Sequence, residues 1–247
     1  MVDLPDRSVM GVVNVTPDSF SDGGRFLDPR RAVAHGRELV AAGADLLDVG
    51  GESTRPGADP VAVDEELRRV LPVVEALAAD AAVPVSIDTS KAAVAAAALR
   101  AGAAIVNDVT AGLGDPDLLA VVAGAGAALI AMHMQGEPRT MQQAPHYDDV
   151  TREVAAFLTA RLDAARAAGI RADALLADPG IGFGKTIDHN LELLARLADL
   201  RAAVGVPIVA GASRKTFLGK LTGDALPSDR DDATLAATVW SFTQGVR

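Results

Sequence analysis

Seven short apolar runs recur along the chain, and each stops on polar residues or glycine. They cover residues 9–14, 46–51, 85–88, 105–108, 128–133, 175–180 and 208–211. The runs are continuous rather than alternating, the pattern of strands buried on both faces of a parallel sheet. Ala-rich segments with apolar residues at helical spacing lie between them. The reading is strand 8–14, helix 28–42, strand 45–49, helix 62–79, strand 84–88, helix 91–101, strand 104–107 and helix 116–125. It continues with strand 127–132, helix 148–168, strand 174–178, helix 188–203, strand 206–210, a short helix 214–221 and a longer one near 230–244. Gly43, Gly102 and Gly169 mark helix ends, where a left-handed residue is favoured. A βα unit repeated this way predicts an α/β fold, a (β/α)8 TIM-type barrel with the strands inside and the helices outside.

Two connections, 15–27 and 50–61, are long and rich in Gly, Pro, Ser, Thr and Asp. Both follow the carboxyl ends of strands, the side on which such a fold builds its active site. After the seventh strand and its helices the chain ends at Arg247. The expectation is therefore a barrel whose eighth strand and last helix are missing from this chain, with an unpaired edge on each side of the gap.

A length of 247 residues fits one barrel domain spanning 1–247. The net charge of −10 argues against nucleic acid as a partner, because such a partner needs a basic face. It leaves room for an anionic small molecule held by a local group of cations. The absence of cysteine excludes disulfides, thiolate metal sites and a cysteine nucleophile. No apolar run reaches the roughly 18 residues of a membrane span, and the first seven residues are too polar for a signal peptide. The expectation is a cytoplasmic protein with no membrane partner.

Asn14, Asp88, Asn107, Asp178 and Lys215 fall at or just past strand ends, which converge on one rim. Carboxylate oxygens only accept hydrogen bonds. A rim bearing Asp88, Asn107 and Asp178 therefore complements a flat ligand rich in N–H donors, such as an aminopyrimidine edge. Buried acids need such a ligand or a cation, or else a shifted pKa. Asp88 reads alternatively as a helix cap, a job that Thr89 and Ser90 can also do. Asn14 reads either as an oxygen ligand for Mg2+ or as a loop cap.

Residues 178–186 come close to a phosphate-binding P-loop, but Pro179 stands where the first glycine belongs, and the dinucleotide spacing is broken too. What remains is a glycine run that lets backbone approach a ligand closely, with Lys185 nearby. Residues 211–216 open a helix and carry Arg214 and Lys215, which read as an anion site or as a solvated basic turn. His133 is the one histidine at a strand end, whereas His35, His146 and His189 are not, so a zinc hydrolase is disfavoured.

Taken together, residues 10–24, 48–57, 86–89, 106–109 and 132–142, Asp178-Pro-Gly-Ile-Gly-Phe-Gly-Lys185 and Gly211-Ala-Ser-Arg-Lys215 resemble the dihydropteroate synthase family, in the family's order and over nearly the whole chain. The resemblance implies a (β/α)8 barrel acting as a homodimer. It implies that dihydropterin-methyl pyrophosphate is joined to p-aminobenzoate with the help of Mg2+, and that sulfonamides compete for the aminobenzoate site. Asp88, Asn107, Asp178 and Lys215 would be catalytic and hold the pterin, with Met132 on the ring plane and Gly182 and Phe183 beside it. Asn14 would bind Mg2+ and the pyrophosphate. Phe20 and Asp22 in the first long loop would close over the aminobenzoate, together with Thr54, Arg55 and Pro56 in the second. Ser213 and Thr216 would lie near the pyrophosphate and the aminobenzoate carboxylate. The family's last strand carries an Arg-Val-His segment that binds pyrophosphate, and this chain stops before it. The expectation is a chain that binds pterin better than it handles pyrophosphate. The competing readings are a pterin-binding paralogue with impaired or no activity and a pterin-dependent methyltransferase domain.

Overall fold

The first six apolar runs form strands of one parallel sheet, paired in sequence order. In the computed structural model, which describes residues 4–16, 29–54, 58–80, 82–137, 139–224 and 226–246, the strands are β1 Met10–Asn14, β2 Leu46–Gly50, β3 Val85–Asp88, β4 Ile105–Asp108, β5 Ala128–Met132 and β6 Leu175–Asp178. The helices are α1 Pro29–Ala41, α2 Val63–Ala79, α3 Ala92–Arg100, α4 Leu118–Ala125, α5 Val150–Ala167, α6 Ile187–Ala195, α7 Leu197–Val204, α8 Thr216–Thr222 and α9 Asp231–Thr243. Gly43, Gly102 and Gly169 follow α1, α3 and α5 with φ of 103°, 110° and 102°, as their place in the sequence requires.

Because side chains alternate along a strand, the register sorts the residues onto two faces. Val13, Val49, Ile87, Val106, Leu129 and Ala177 are buried in the large core between sheet and helices. On the other face Val12 pairs with Asp48, and Asp48 with Ser86. One step toward the carboxyl ends, Asn14 pairs with Gly50, Gly50 with Asp88, and Asp88 with Asn107. Further along, Met132 pairs with Asp178. A smaller apolar cluster built on Leu46, Ile105, Ala128 and Ile130 fills the floor of this inner face.

Two expectations change. The run at 206–210 is not a full strand; it makes one parallel bridge, Ile208 to Ala177, with Ala177 N donating to Pro207 O and Val209 N to Ala177 O. The next ladder bond toward the start of the run would need an N–H from residue 207, and proline has none. The helix read at 188–203 is two helices, broken at Arg196, where φ is −113° and ψ is 25°. The break lets Leu193 and Leu194 on one side and Leu197, Leu200 and Val204 on the other join the same core.

Among the described residues β1 pairs on one side only. Val12, on its inner face, is 49% exposed. Among the described residues the architecture is an α/β barrel wall without a closing strand.

Candidate functional site

The inner face turns polar at the carboxyl ends of the strands. Glycine at position 50 leaves a gap there. A Cβ on Gly50 would lie 3.4 Å from Asp88 Oδ2 and 3.7 Å from Asn14 Oδ1, so both oxygens border the space that glycine leaves open. Asn107 donates its amide N–H to Asp48 Oδ2 at 2.9 Å, which turns its carbonyl oxygen away from that acid. Among the described residues Asp48 Oδ1 is buried without a hydrogen-bond partner, and so is Ser86 Oγ, its neighbour in the register.

Burial pushes Asp88 well above the usual carboxylate range, and the negative charges of Asp48, Asp108, Glu66 and Glu52 add to the effect. Burial also raises Asp48, against the pull of Ser86 and Asn107. The first half of the site is thus a set of crowded acids that resist ionisation.

Thr89 does not cap α3. Its hydroxyl donates to Glu66 Oε1 at 2.7 Å and accepts from Lys91 N, while Asp115 in the following loop receives the Ala92 N–H at 2.9 Å. The helix is capped from a distance, and Asp88 keeps its inward place. Beneath it, Lys91 bridges Glu52 and the buried Glu66. Glu52 also receives the Val61 N–H, which ties the two ends of the second long loop together.

The second half of the site is built on the glycine run after β6. Asp178 Oδ1 accepts the Gly180 N–H at 2.6 Å. Lys215, just before α8, donates to Ile181 O and lies over the Phe183 ring with its Nζ 4.5 Å from the centroid. Gly182, at φ 85°, makes room for it, since a Cβ there would meet Lys215 Cδ at 2.9 Å. A Cβ on Gly211 would be 3.9 Å from both Asp178 Oδ2 and Lys215 Nζ, so acid and ammonium both border the space over a residue with no side chain. Burial lowers Lys215 to about 8, opposed by the Asp178 charge. Asp178 is raised by burial and held back by Lys215, the Gly180 N–H and Lys185. Met132 is buried beside Asp178 in the register.

The structure therefore brings Asn14 to Asp88 and Asp88 to Asn107, and separately joins Asp178, Gly182, Phe183 and Lys215, with Met132 on the strand between Asn107 and Asp178. Ser213 and Thr216 are exposed on the turn that carries Lys215, and Thr54 is half-buried at the start of the second loop. Phe20, Asp22, Arg55 and Pro56 lie outside the described residues. Arg214 does not strengthen an anion site. Its guanidinium pairs with Asp231 at 2.6 and 2.8 Å, which turns it toward α9.

The residues that the sequence reading did not single out for the site are Asp48 and Ser86, one layer below the rim; Lys185 and His133, noted there separately, form a buried pair. Asp48 carried a signal, standing two residues before Gly50 and hence on the same face. Among the described residues no group of three or more His, Cys, Asp or Glu side chains is placed to hold a metal. The oxygens of Asn14 and Asp88 fit a different mode, in which Mg2+ takes one or two protein oxygens and keeps waters and phosphate for the rest.

Residues 10–247 match a protein family described as "Pterin binding enzyme". The dihydropteroate synthase of Escherichia coli is 47% identical over 244 residues, covering 99% of this chain and 86% of the relative. The structure of Xanthomonas albilineans dihydropteroate synthase with 4-aminobenzoic acid superposes with a TM-score of 0.91 at 51% identity, covering 97% of this chain and 85% of that one. The same enzyme in complex with 7,8-dihydropteroate gives 0.87 at 48% identity, again with 97% and 85% covered. With this match over nearly its whole length, and with its polar rim at the carboxyl ends of a parallel barrel wall, the chain belongs to the dihydropteroate synthase family of pterin-binding enzymes.

Proposed function

We propose that the chain is a transferase of folate biosynthesis that joins 7,8-dihydropterin-6-ylmethyl pyrophosphate to p-aminobenzoate, giving 7,8-dihydropteroate and pyrophosphate. The observation that carries this reading is the rim of acids and amide, half-buried Asp88, Asn107 and Asp178 above buried Asp48, with the Lys215 ammonium bordering the same space as Asp178. A pterin supplies what each group lacks. Its amino and ring N–H groups donate to Asp178 and to the carbonyl of Asn107. Its ring oxygen and nitrogen accept from Lys215. Met132 and the methylene stem of Lys215 flank the ring.

The reaction is an alkyl transfer. The bond from the exocyclic methylene carbon to the pyrophosphate oxygen breaks, the electron pair leaves with pyrophosphate, and positive charge spreads over the pterin. Asp88, fixed beside that carbon's ring, stabilises the charge as it develops. The aminobenzoate nitrogen then forms the new bond to carbon and releases its proton to solvent or to pyrophosphate. No protein nucleophile is required. Asn14 would hold Mg2+ together with the Asp88 oxygen that borders the same space; when bound, the ion supplies charge neutralisation for the leaving pyrophosphate. Phe20, Asp22, Thr54, Arg55 and Pro56 are assigned to closing the aminobenzoate side, and Ser213 and Thr216 to its carboxylate and the pyrophosphate.

The working form proposed is a cytoplasmic homodimer. Leu235 and Val239, one turn apart on α9 and 62% and 54% exposed, support an interface there. Among the described residues no helix is long and apolar enough to cross a membrane.

The test is pyrophosphate release from the pterin substrate with Mg2+, with and without p-aminobenzoate. The expected result is release that depends on p-aminobenzoate and equals the dihydropteroate formed. Pterin binding with no release under either condition overturns the assignment in favour of a non-catalytic binder.

A further inference from the structure

The glycine run 178–185 fits neither a phosphate loop nor a dinucleotide loop, and the pterin site uses only part of it. Its remaining feature is Lys185, only 3% exposed and the last residue of the run. An ammonium carries three N–H donors and no acceptor. Lys185 Nζ has three acceptors around it: His133 Nδ1 at 3.0 Å, Gly180 O at 3.0 Å and Phe183 O at 2.9 Å. Every donor of the charged form is engaged, so Lys185 has none left for a substrate. A neutral amine would leave one of the three acceptors without a donor. His133 must then present a bare Nδ1, and its pKa, held near 3 by burial and the neighbouring Lys185, keeps the ring neutral.

The two carbonyls belong to the turn that carries the pterin site. Gly180 gives its O to Lys185 and its N–H to Asp178. A Cβ on Gly180 would fall 1.9 Å from His133 O, so the turn packs directly on the end of β5 and only glycine allows it. Lys215 and Lys185 are the cations acting on Asp178, and Asp48 is the acid that couples to it. Lys185 in turn faces Asp178, Lys215, His133 and, at 6.0 Å, the ring of Tyr147.

We propose that Lys185 is a positioning residue for pterin recognition: its ammonium pins the turn that aims the Gly180 N–H at Asp178, and its charge keeps that carboxylate ionised for the N–H edge of the ligand. The inference rests on the pterin-binding reading above and adds to it a group that touches no substrate. It gives the glycines a purpose as well. They let the chain fold back over the lysine head so that two carbonyls reach it.

The test is the dissociation constant of 6-hydroxymethylpterin for wild type and Lys185→Met, measured by calorimetry from pH 5 to pH 10. Wild type is expected to bind, with affinity falling in acid as Asp178 takes up a proton. In Lys185→Met the midpoint of that fall moves up by about one pH unit, equivalent to roughly tenfold weaker binding on the acid side. Near pH 10 the wild-type amine is neutral too, since burial lowers Lys185 to about 7, and the charge-dependent part of the gap closes. A purely structural lysine would weaken binding at every pH and leave the midpoint in place; that result overturns the inference. Wild type that binds no pterin at any pH overturns the pterin reading instead. Should Lys185→Met not fold, the carboxyl carbon resonance of Asp178 decides. A second inflection that persists in Lys215→Met, and so comes from Lys185 losing its proton, supports the coupling, and its absence there refutes it.

Discussion

At the scale of single residues, the site is a set of groups held in unfavourable protonation states. Asp88 shows what that costs. Its pKa is raised by burial and by four neighbouring acids, so the folded protein binds its proton more tightly than the unfolded chain does. A carboxyl of that kind stabilises the fold most below the unfolded value near 3.8 and loses that contribution as pH rises through its folded pKa. Asp88→Asn removes the cost of ionisation while keeping the shape. The variant is expected to melt higher than wild type at pH 8, with the gain vanishing toward pH 4, and to lose roughly 100- to 1000-fold in turnover because the developing positive charge goes unmatched. Each kcal/mol gained corresponds to about 2–4 °C for a chain of this size. Parallel melting and turnover curves check both halves, and a lower melting point at pH 8 contradicts the first. Asp88, Asn107 and Asp178 were legible in the sequence because each ends an apolar run, where the strand meets the rim. Asp48 was not singled out. It sits inside such a run, and only the register shows that its face is the inner one.

At the scale of elements, strands and helices were legible to within a residue or two because buried parallel strands and Ala-rich helices have distinct patterns. What escaped depended on contacts between elements. The cap of α3 comes from Asp115 beyond β4, and the support of the second loop comes from Glu66 on α2, acting through Lys91 and Thr89. Neither partner lies next to its target in sequence. The run at 206–210 fell short of a strand because of one residue, Pro207, whose effect depends on which side of the ladder its nitrogen faces. The Glu66 cluster makes a stability prediction. Glu66 is fully buried and satisfies both Thr89 and Lys91. Glu66→Ala leaves the hydroxyl without its acceptor and Lys91 with Glu52 alone, and is expected to cost about 3 kcal/mol. Urea titration checks it as a lower midpoint at unchanged slope. Glu66→Gln, which keeps an acceptor for Thr89, should lose less. Equal losses would mean that the charge paired with Lys91 decides, and that neither the acceptor for Thr89 nor the space filled by the side chain matters.

For the whole molecule, the α/β barrel class was legible from the spacing of seven runs, and the site's position followed from the shared direction of the strands. The balance of buried charge was not legible, because burial decides which of the 33 acids and 23 bases matter. Four acids, buried Asp48 and Asp108 and half-buried Asp88 and Asp178, have raised pKa values, chiefly through loss of solvent. Their contribution to stability is complete below the unfolded value and is lost as pH rises through the folded ones. Lys185 and Lys215 are lowered, to about 7 and about 8. Their contribution is complete above the unfolded value of 10.5 and is lost as pH falls through 8 and then 7. Both sets therefore contribute least between these limits, near neutrality. Exposed Asp80, Asp173 and Asp231 act in the opposite sense below about pH 4, because arginine partners lower them. The absolute melting curve mixes these effects, whereas the shift produced by ligand isolates the site. A pterin that donates to the ionised acids and accepts from the charged Lys215 relieves the cost where it is greatest. The rise in melting temperature at saturating 6-hydroxymethylpterin should therefore peak between about pH 6 and 8 and shrink on both sides. A shift that stays constant from pH 4 to pH 10 would mean that the ligand does not engage these charges, and the rim would have to be assigned to some other guest.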